Sequence, residues 1–296
     1  MCSFPTLRRE FTTRGELRLR VGVEAGRSTP RSQFHRGALS TMRPLYLEDS
    51  GQVTVFILNP GGGYVSGDVY DLSVEVEEGA ELLLTTQSAT KVYRTTGLPA
   101  CQTMSVRVAD RGVMEYLPDQ LIVYRDGCYE QLGDFELSPT AHLLVGEVIT
   151  PGWSPTSEPF EYEEIRLRSS VWVCDESGER RPLLVDFLRI CPPESVTGIG
   201  VLEGHSHCGQ LLIIDRRLDE AFMDEVLALA EKCPAEVGVT LTGAEFTCAD
   251  GGPAPRCLVV RSLGRGTGEI DALHRAIANT ARTRFFERPN INLRKY

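Results

Sequence analysis

The stretch Ile57-Leu58-Asn59-Pro60-Gly61-Gly62-Gly63-Tyr64-Val65-Ser66-Gly67-Asp68 runs from an apolar segment through a glycine-rich turn to a single aspartate. The residues after the turn decide how it is read. In Asp68-Val69-Tyr70-Asp71-Leu72-Ser73-Val74-Glu75-Val76, the residues Leu72, Val74 and Val76 alternate with polar ones, the pattern of a strand. A phosphate loop instead opens a helix, whose free N–H groups cradle the anion, and carries a Lys-Ser/Thr step after its last glycine. Neither condition is met, so nucleotide binding is disfavoured. The residues alone leave two readings. One is a tight turn whose glycines supply positive φ; the other is such a turn that also positions Asp68 for chemistry.

Further along, Leu84-Thr85-Thr86-Gln87-Ser88-Ala89-Thr90-Lys91-Val92-Tyr93-Arg94 is a second strand ending in a threonine pair and a Thr-Lys-x-Tyr-Arg cluster. From Glu16 to about Ile190 the pattern is β almost throughout. Leu17, Leu19, Val21 and Val23 alternate, as do Met104, Val106 and Val108 before Asp110-Arg111-Gly112. Asp126-Gly127, between Leu121–Tyr124 and Cys128–Leu132, is a hairpin signal. Ile165, Leu167, Ser169, Val171 and Val173 predict another strand, turned by Glu176-Ser177-Gly178. Turns at this spacing imply sandwiched or helically stacked sheets.

The last third changes character. Leu218, Phe222, Val226 and Leu229 follow helical spacing after a candidate cap at Asp215, and Ile270, Leu273, Ile277, Ala281 and Phe285 do so after Thr267. Strands are expected at Val237–Leu241 and Cys257–Arg261. One apolar stripe per helix points to packing on a sheet. The expected organisation is an N-terminal extension (1–14) and one domain (15–296), β-rich over 15–190 and mixed over 197–290. Pro192-Pro193 is the only plausible internal boundary. No internal repeat or low-complexity tract is evident.

The chain has 296 residues and a net charge of −10, which disfavours a general nucleic-acid role. Residues 1–43 nevertheless hold nine arginines against three glutamates. A solvated surface accounts for them, with a face for an acidic protein partner as the second reading. The nine cysteines contain no C-x-x-C pair and are odd in number, which favours free thiols in a reducing compartment. With no apolar signal core and no long apolar run, a cytoplasmic protein without a membrane segment is expected.

The glycine turn and the Thr-Lys-x-Tyr-Arg block together resemble the signature of the urease accessory protein family UreD, also called UreH. The likeness extends over nearly the whole chain. Arg43-Pro44-Leu45-Tyr46, Glu115-Tyr116-Leu117-Pro118-Asp119-Gln120, Leu143–Glu147 with Pro151-Gly152, and Pro182–Asp186 are similar to family segments. Glu203–Gly209 and the ending Asn292–Tyr296 are similar to Gram-positive members. Gln87-Ser88-Ala89 departs from the Pro-Gly-Ala of many relatives and puts only the local turn geometry in question.

That resemblance implies a mainly β fold, a two-layer helicoid stack with a few helices near the end, and no enzymatic activity. It implies a scaffold that binds urease apoprotein with UreF and the GTPase UreG, dimeric within the accessory complex. No cofactor is held permanently; Ni²⁺ passes through an internal tunnel. By position, the family's tunnel residues fall on Asp68, Thr90, Glu147 and Asp186. Pro60, Gly61, Gly62, Gly67, Lys91, Tyr93 and Arg94 are its structural motif positions.

The chemistry agrees with that assignment. Imidazole and thiolate hold Ni²⁺ tightly, whereas carboxylates and hydroxyls hold it weakly. A conduit must attract an ion and release it, which favours spaced carboxylates. Each carboxylate also has a plainer reading: Asp68 as a turn cap, Glu147 and Asp186 as partners of arginines. His205, His207 and Cys208 form the one local cluster of metal-ligand type. In a strand the two histidines share a face and the cysteine points away, whereas a loop after Glu203-Gly204 would let all three converge, so a structural role stands beside transient nickel contact. A β-rich metal-dependent hydrolase or carbohydrate-active enzyme, with Asp68 and Glu147 as an acid–base pair, is the alternative function.

Overall fold

A computed structural model describes residues 12–174, 179–194, 196–243, 246–248 and 250–293. The expected turn at Glu176-Ser177-Gly178 and the Arg294-Lys295-Tyr296 ending lie outside the described residues. The chain begins with β1 (Thr12–Glu24), β2 (Arg27–Gly37), β3 (Ser40–Thr41), β4 (Val53–Leu58), β5 (Asp68–Val76) and β6 (Glu81–Thr86). It continues through β7 (Thr90–Val92), β8 (Ala100–Val108), β9 (Val113–Tyr116), β10 (Leu121–Val123), β11 (Cys128–Leu137) and β12 (His142–Ile149). Then come β13 (Glu164–Cys174), β14 (Arg180–Ile190), β15 (His207–Asp215), α1 (Glu220–Ala230), β16 (Glu236–Gly243), β17 (Arg256–Gly264) and α2 (Thr267–Phe286).

The strands fall into two sheets. The outer one has the order β14-β13-β11-β8-β5-β1-β2; the inner one runs β16-β17-β15-β12-β9-β6-β4-β3, with β10 and β7 attached beside β12. Burial explains the assignment. In β5 and β8 every second residue is buried, because one face of the outer sheet meets water. In β4, β6, β9 and β12 nearly every residue is buried, because the inner sheet is covered on both sides. Leu82 and Leu84 pack between the sheets, while the intervening Leu83 packs with Phe222, Leu273 and Ile277 on the helical side. Continuous versus alternating apolar runs therefore mark the two layers.

The connection between layers is helicoidal. Strands β5, β8 and β11 each end in a short turn that hands the chain to β6, β9 and β12 in the other sheet, and like strands stack in parallel. The three corners stack too: Ala109 N–H donates to Val76 O (2.9 Å) and Ser138 N–H to Val108 O (2.9 Å). The opposite corner carries a tripeptide that recurs one coil apart, Val92-Tyr93-Arg94 and Val123-Tyr124-Arg125. Tyr124 N–H donates to Val92 O (2.8 Å) and the Tyr93 and Tyr124 rings meet edge-on at 5.0 Å. Three residues are too short to stand out as a repeat until the coil length is known.

Two sequence expectations are corrected. Asp126-Gly127 does make a tight turn, with Asp126 at φ +59° and Gly127 N–H donating to Tyr124 O (2.9 Å). It does not make a hairpin: β10 pairs with β7 and β12, whereas β11 pairs with β8 and β13 in the other sheet. Parallel stacking on earlier and later coils supplies both strands with partners, so they have no need of each other. The first helix is capped by Asp219, whose carboxylate accepts from Phe222 N–H (2.8 Å), and not by Asp215. Asp215 is instead buried against His142 Nδ1 (2.8 Å) and Arg217. Burial alone would raise its carboxyl, but the Arg217 and His142 hydrogen bonds hold it well below the usual range.

Among the described residues no helix is long and apolar enough to cross a membrane. No disulfide joins the eight described cysteines; Cys208, Cys248 and Cys257 are buried. Most of the N-terminal arginines among the described residues have acidic partners. Arg18 and Arg36 pair with Glu16, Arg20 with Glu75 and Glu77, and Arg31 with Glu24.

Candidate functional site

The glycine turn joins β4 of the inner sheet to β5 of the outer one, so it is a layer crossing. Pro60 and Gly61 are exposed at its tip, and Gly61 N–H donates to Asn59 Oδ1 (3.1 Å). Gly62 and Gly67 have φ of +82° and +74°, which side chains rarely tolerate. Gly63 is needed for another reason: a Cβ there would lie 2.5 Å from Tyr93 Cε2 and 2.8 Å from Lys91 O. The Thr-Lys-x-Tyr-Arg block thus packs directly on the glycine turn, with Tyr93 N–H donating to Tyr64 O (2.8 Å) and Tyr93 OH to Gly62 O (3.3 Å). Arg94 points outward near Asp126 (3.5 Å).

Asp68, the first residue of β5, is buried. It accepts from Val65 N–H (3.0 Å), from Arg14 Nε (3.0 Å) and, at 3.4 Å, from Tyr70 OH. The Tyr70 ring stacks on Tyr64 with centroids 3.6 Å apart. From Tyr64 a hydrogen-bonded row crosses the space between the sheets. Tyr64 OH donates to Gln102 Oε1 (2.6 Å), Gln102 Nε2 to Gln131 Oε1 (3.3 Å), and Gln131 Nε2 to Glu147 Oε1. Tyr129 OH also donates to Gln131 Oε1 (3.0 Å). Beyond Glu147, strand register sets Gln210 directly opposite it and Arg261 opposite Gln210. Gln210 Nε2 donates to Asp186 Oδ2 (2.7 Å) and Arg261 pairs with Asp186.

Two small cavities flank this row. The first, about 40 Å³ to a water centre, is bounded by Gly62, Gly63, Thr90, Lys91, Gln102 and Tyr116. The second, about 20 Å³, is bounded by Thr90, Gln102, Tyr116, Gln131 and Glu147. Roughly 10–15 Å³ measured this way admits one water, so each has room for at least one. Thr90, Gln102 and Tyr116 border both.

Electrostatics distinguishes the three carboxylates. Asp68 and Asp186 each face an arginine, whereas no ion pair to Glu147 is found among the described residues. Burial pushes the Glu147 carboxyl up to about 7; the Gln131 hydrogen bond lowers it, Asp186 raises it and Arg261 lowers it again. Burial likewise pushes the Tyr70 hydroxyl up to about 12 and those of Tyr64, Tyr116 and Tyr129 well above their ordinary range. The phenols therefore present neutral oxygens.

Asp68, Glu147 and Asp186 thus lie along one polar seam, and Thr90 borders the two cavities beside it. Sequence reading missed the residues between them: Tyr64, Tyr70, Gln102, Tyr116, Tyr129, Gln131, Gln210 and Arg261. One signal was available, since Gln102 and Gln131 are polar at inward positions of alternating strands, where the pattern calls for apolar side chains. Asp68 borders neither cavity and stands across the tyrosines and glutamines from Glu147, so the two do not flank a common cleft as an acid–base pair would.

The His205, His207 and Cys208 cluster behaves differently. His205 Nδ1 lies 3.2 Å from Leu202 O, and His207 Nδ1 lies 2.8 Å from Ser206 Oγ at the start of β15. Cys208 is buried in the intersheet core, and burial pushes its thiol up to about 11. Among the described residues no group of three or more His, Cys, Asp or Glu side chains is arranged to hold a metal ion.

Comparison with known proteins fixes the family. The sequence model of the UreD urease accessory protein matches residues 13–295. This chain belongs to the UreD family. It is 46% identical to a urease accessory protein UreD of Paenarthrobacter aurescens over 97% of both chains. It is 45% identical to one of an Arthrobacter species, covering 96% of this chain and 95% of the relative. A UreD of a Bacillus species is 33% identical over 95% of this chain and 98% of its own length. Membership makes this chain a urease accessory protein and disfavours the hydrolase alternative.

Proposed function

We propose that this UreD-family chain is a non-catalytic maturation scaffold that conducts Ni²⁺ between its two sheets to urease. It does so in the cytoplasm, bound to urease apoprotein together with UreF and UreG. The observation that supports this reading is the polar seam from Asp68 to Asp186, bordered by two water-sized cavities. Its side chains offer carboxylate, amide, hydroxyl and phenol oxygens. Such donors hold Ni²⁺ loosely compared with imidazole or thiolate, so an ion can leave as readily as it enters.

The charge arrangement singles out Glu147. Arg14 and Arg261 pair with Asp68 and Asp186, leaving Glu147 as the carboxylate of the seam with no ion-pair partner among the described residues. An ionised carboxylate short of partners in a low-dielectric site is costly. A divalent cation would relieve that cost on arrival and restore it on departure. Thr90, at the junction of the two cavities, contributes a hydroxyl along the way.

The test is nickel per active site of urease in cells whose only copy carries Asp68→Asn, Glu147→Gln and Asp186→Asn together. Complex formation with UreF and urease apoprotein is checked by affinity capture. Low nickel with intact complexes is expected. Normal metallation in the triple variant would remove the conduit role. Failure to capture any partner with the parent chain would remove the scaffold role.

A further inference from the structure

Gln102 and Gln131 occupy a singular point on this seam. They are register partners on β8 and β11, joined by the 3.3 Å amide–amide hydrogen bond. Gln102 borders both cavities and Gln131 borders the second. Their orientation is set from both ends. At one end phenols donate to the carbonyl oxygens, from Tyr64 to Gln102 and from Tyr129 to Gln131. At the other end Glu147, when ionised, can only accept, so Gln131 must turn its N–H₂ group toward it.

As a result both amide nitrogens, the positive ends of the dipoles, aim along the seam toward Glu147. A cation leaving the first cavity meets donors with nothing to offer it, while the nearby carbonyl oxygens are engaged. Passage requires the amides to turn. Turning is feasible because phenols can rotate to accept instead of donate, and each side-chain amide carries both donor and acceptor groups.

We propose that the Gln102–Gln131 amide pair is the gate of the path, closed while Gln131 donates to Glu147 and opened by a divalent cation. The ion draws the two carbonyl oxygens round to itself and replaces Gln131 at Glu147. The inference rests on the conduit reading above and names the residues that control the step between its two cavities. It also gives the pair a selective role: a monovalent ion exerts less pull on the amides than Ni²⁺.

The experiment measures the initial rate at which nickel enters urease apoprotein in the purified accessory complex, read by metal analysis. Gln131→Met keeps the length of the side chain but removes both the closing N–H₂ and the carbonyl that meets the ion; a loss of rate of about tenfold is expected, because the lost contact to a charged group outweighs the relief of closure. Gln131→Lys places a fixed cation within reach of Glu147, where the pair can be accommodated. Its loss should be larger and should persist when nickel is raised, whereas the Met variant recovers in part. A side chain with a merely structural role would not separate the two variants by their response to nickel. Gln102→Met tests the same step from the neighbouring strand if Gln131 variants do not accumulate. Parental rates in the Gln102 and Gln131 variants, with Glu147→Gln slow, would overturn the gate and leave the conduit standing. Parental rates in Glu147→Gln and Asp68→Asn would overturn the conduit and the gate with it.

Discussion

Gln131 of the outer sheet donates its amide N–H to Glu147 of the inner sheet, so the two layers are tied by a polar contact at the middle of the seam that crosses the apolar core. Its consequence is a cost. The Glu147 carboxyl sits near pH 7 because burial disfavours its ionised form more than Gln131 and Arg261 favour it. Between the ordinary carboxyl range and pH 7 the folded chain binds more protons than the unfolded chain, so stability falls as pH rises. Above pH 7 the contribution is gone. Glu147→Gln should therefore melt higher than the parent at pH 8, by on the order of 2 kcal/mol, and show no advantage at pH 4.5. Thermal melts at the two pH values check this. A parental pH slope in the variant would mean that another group carries it. A residue that destabilises the fold at working pH is typical of a functional site.

Asp68 permits a cleaner separation of charge from structure. Asn at this position keeps an oxygen for the Val65 N–H and loses only the pairing with Arg14, whose side chain is 59% exposed. An exposed partner of this kind is worth about 1 kcal/mol or less. Asp68→Asn should leave the melting temperature nearly unchanged while lowering the nickel content of urease. Unchanged nickel with an unchanged melt would assign Asp68 to turn capping alone.

The layers of this fold were legible in the sequence and their connections were not. Leu72, Val74 and Val76 alternate because β5 has a wet face; Leu82, Leu83 and Leu84 run together because β6 has none. Periodicity reports exposure directly. It says nothing of whether the next strand pairs beside the last or crosses to the other layer, which is why Asp126-Gly127 read as a hairpin. For the site, family likeness supplied Asp68, Thr90, Glu147 and Asp186, since a lone carboxylate in a strand carries no local mark. The glutamines were visible as breaks in the inward pattern, but their meeting depends on strands β8 and β11 being neighbours. The Asp215 cap failed because Asp219 stands four residues on with equal chemistry, and His142, distant in sequence, claims Asp215.

Gly63 couples the backbone of the turn to the first cavity. Adding a methyl group there drives it into Lys91 O and the Tyr93 ring, and backbone oxygen cannot swing aside as a side chain can. Gly63→Ala should cost about 1–3 kcal/mol by overpacking. It should also shift Lys91 at the first cavity. The expected outcome is a lower melting temperature together with slower nickel transfer in the complexes that still form. A variant melting like the parent would show that the turn relaxes freely.

The histidine–cysteine cluster is where a tight nickel site would be sought first. Thiolate, not thiol, is the ligand, and burial keeps the Cys208 proton in place. The ring of His205 is turned toward Leu202 O, and burial lowers the His207 imidazole below its ordinary range. Three groups so disposed would have to move to meet one ion. His205→Ala removes a half-buried ring with its contacts to Leu202 O and, at 3.8 Å, to the exposed Glu236 carboxylate, so its effect on stability should be about 1 kcal/mol. Cys208→Ser sets a hydroxyl in the intersheet core and should cost about 1–3 kcal/mol. Neither should lower nickel per urease site once the amount of assembled complex is matched. The measurement is metal content normalised to complex, beside Glu147→Gln as the positive control. A loss in His205→Ala as deep as that in Glu147→Gln, with complexes intact, would move the nickel contact from the carboxylate seam to this loop.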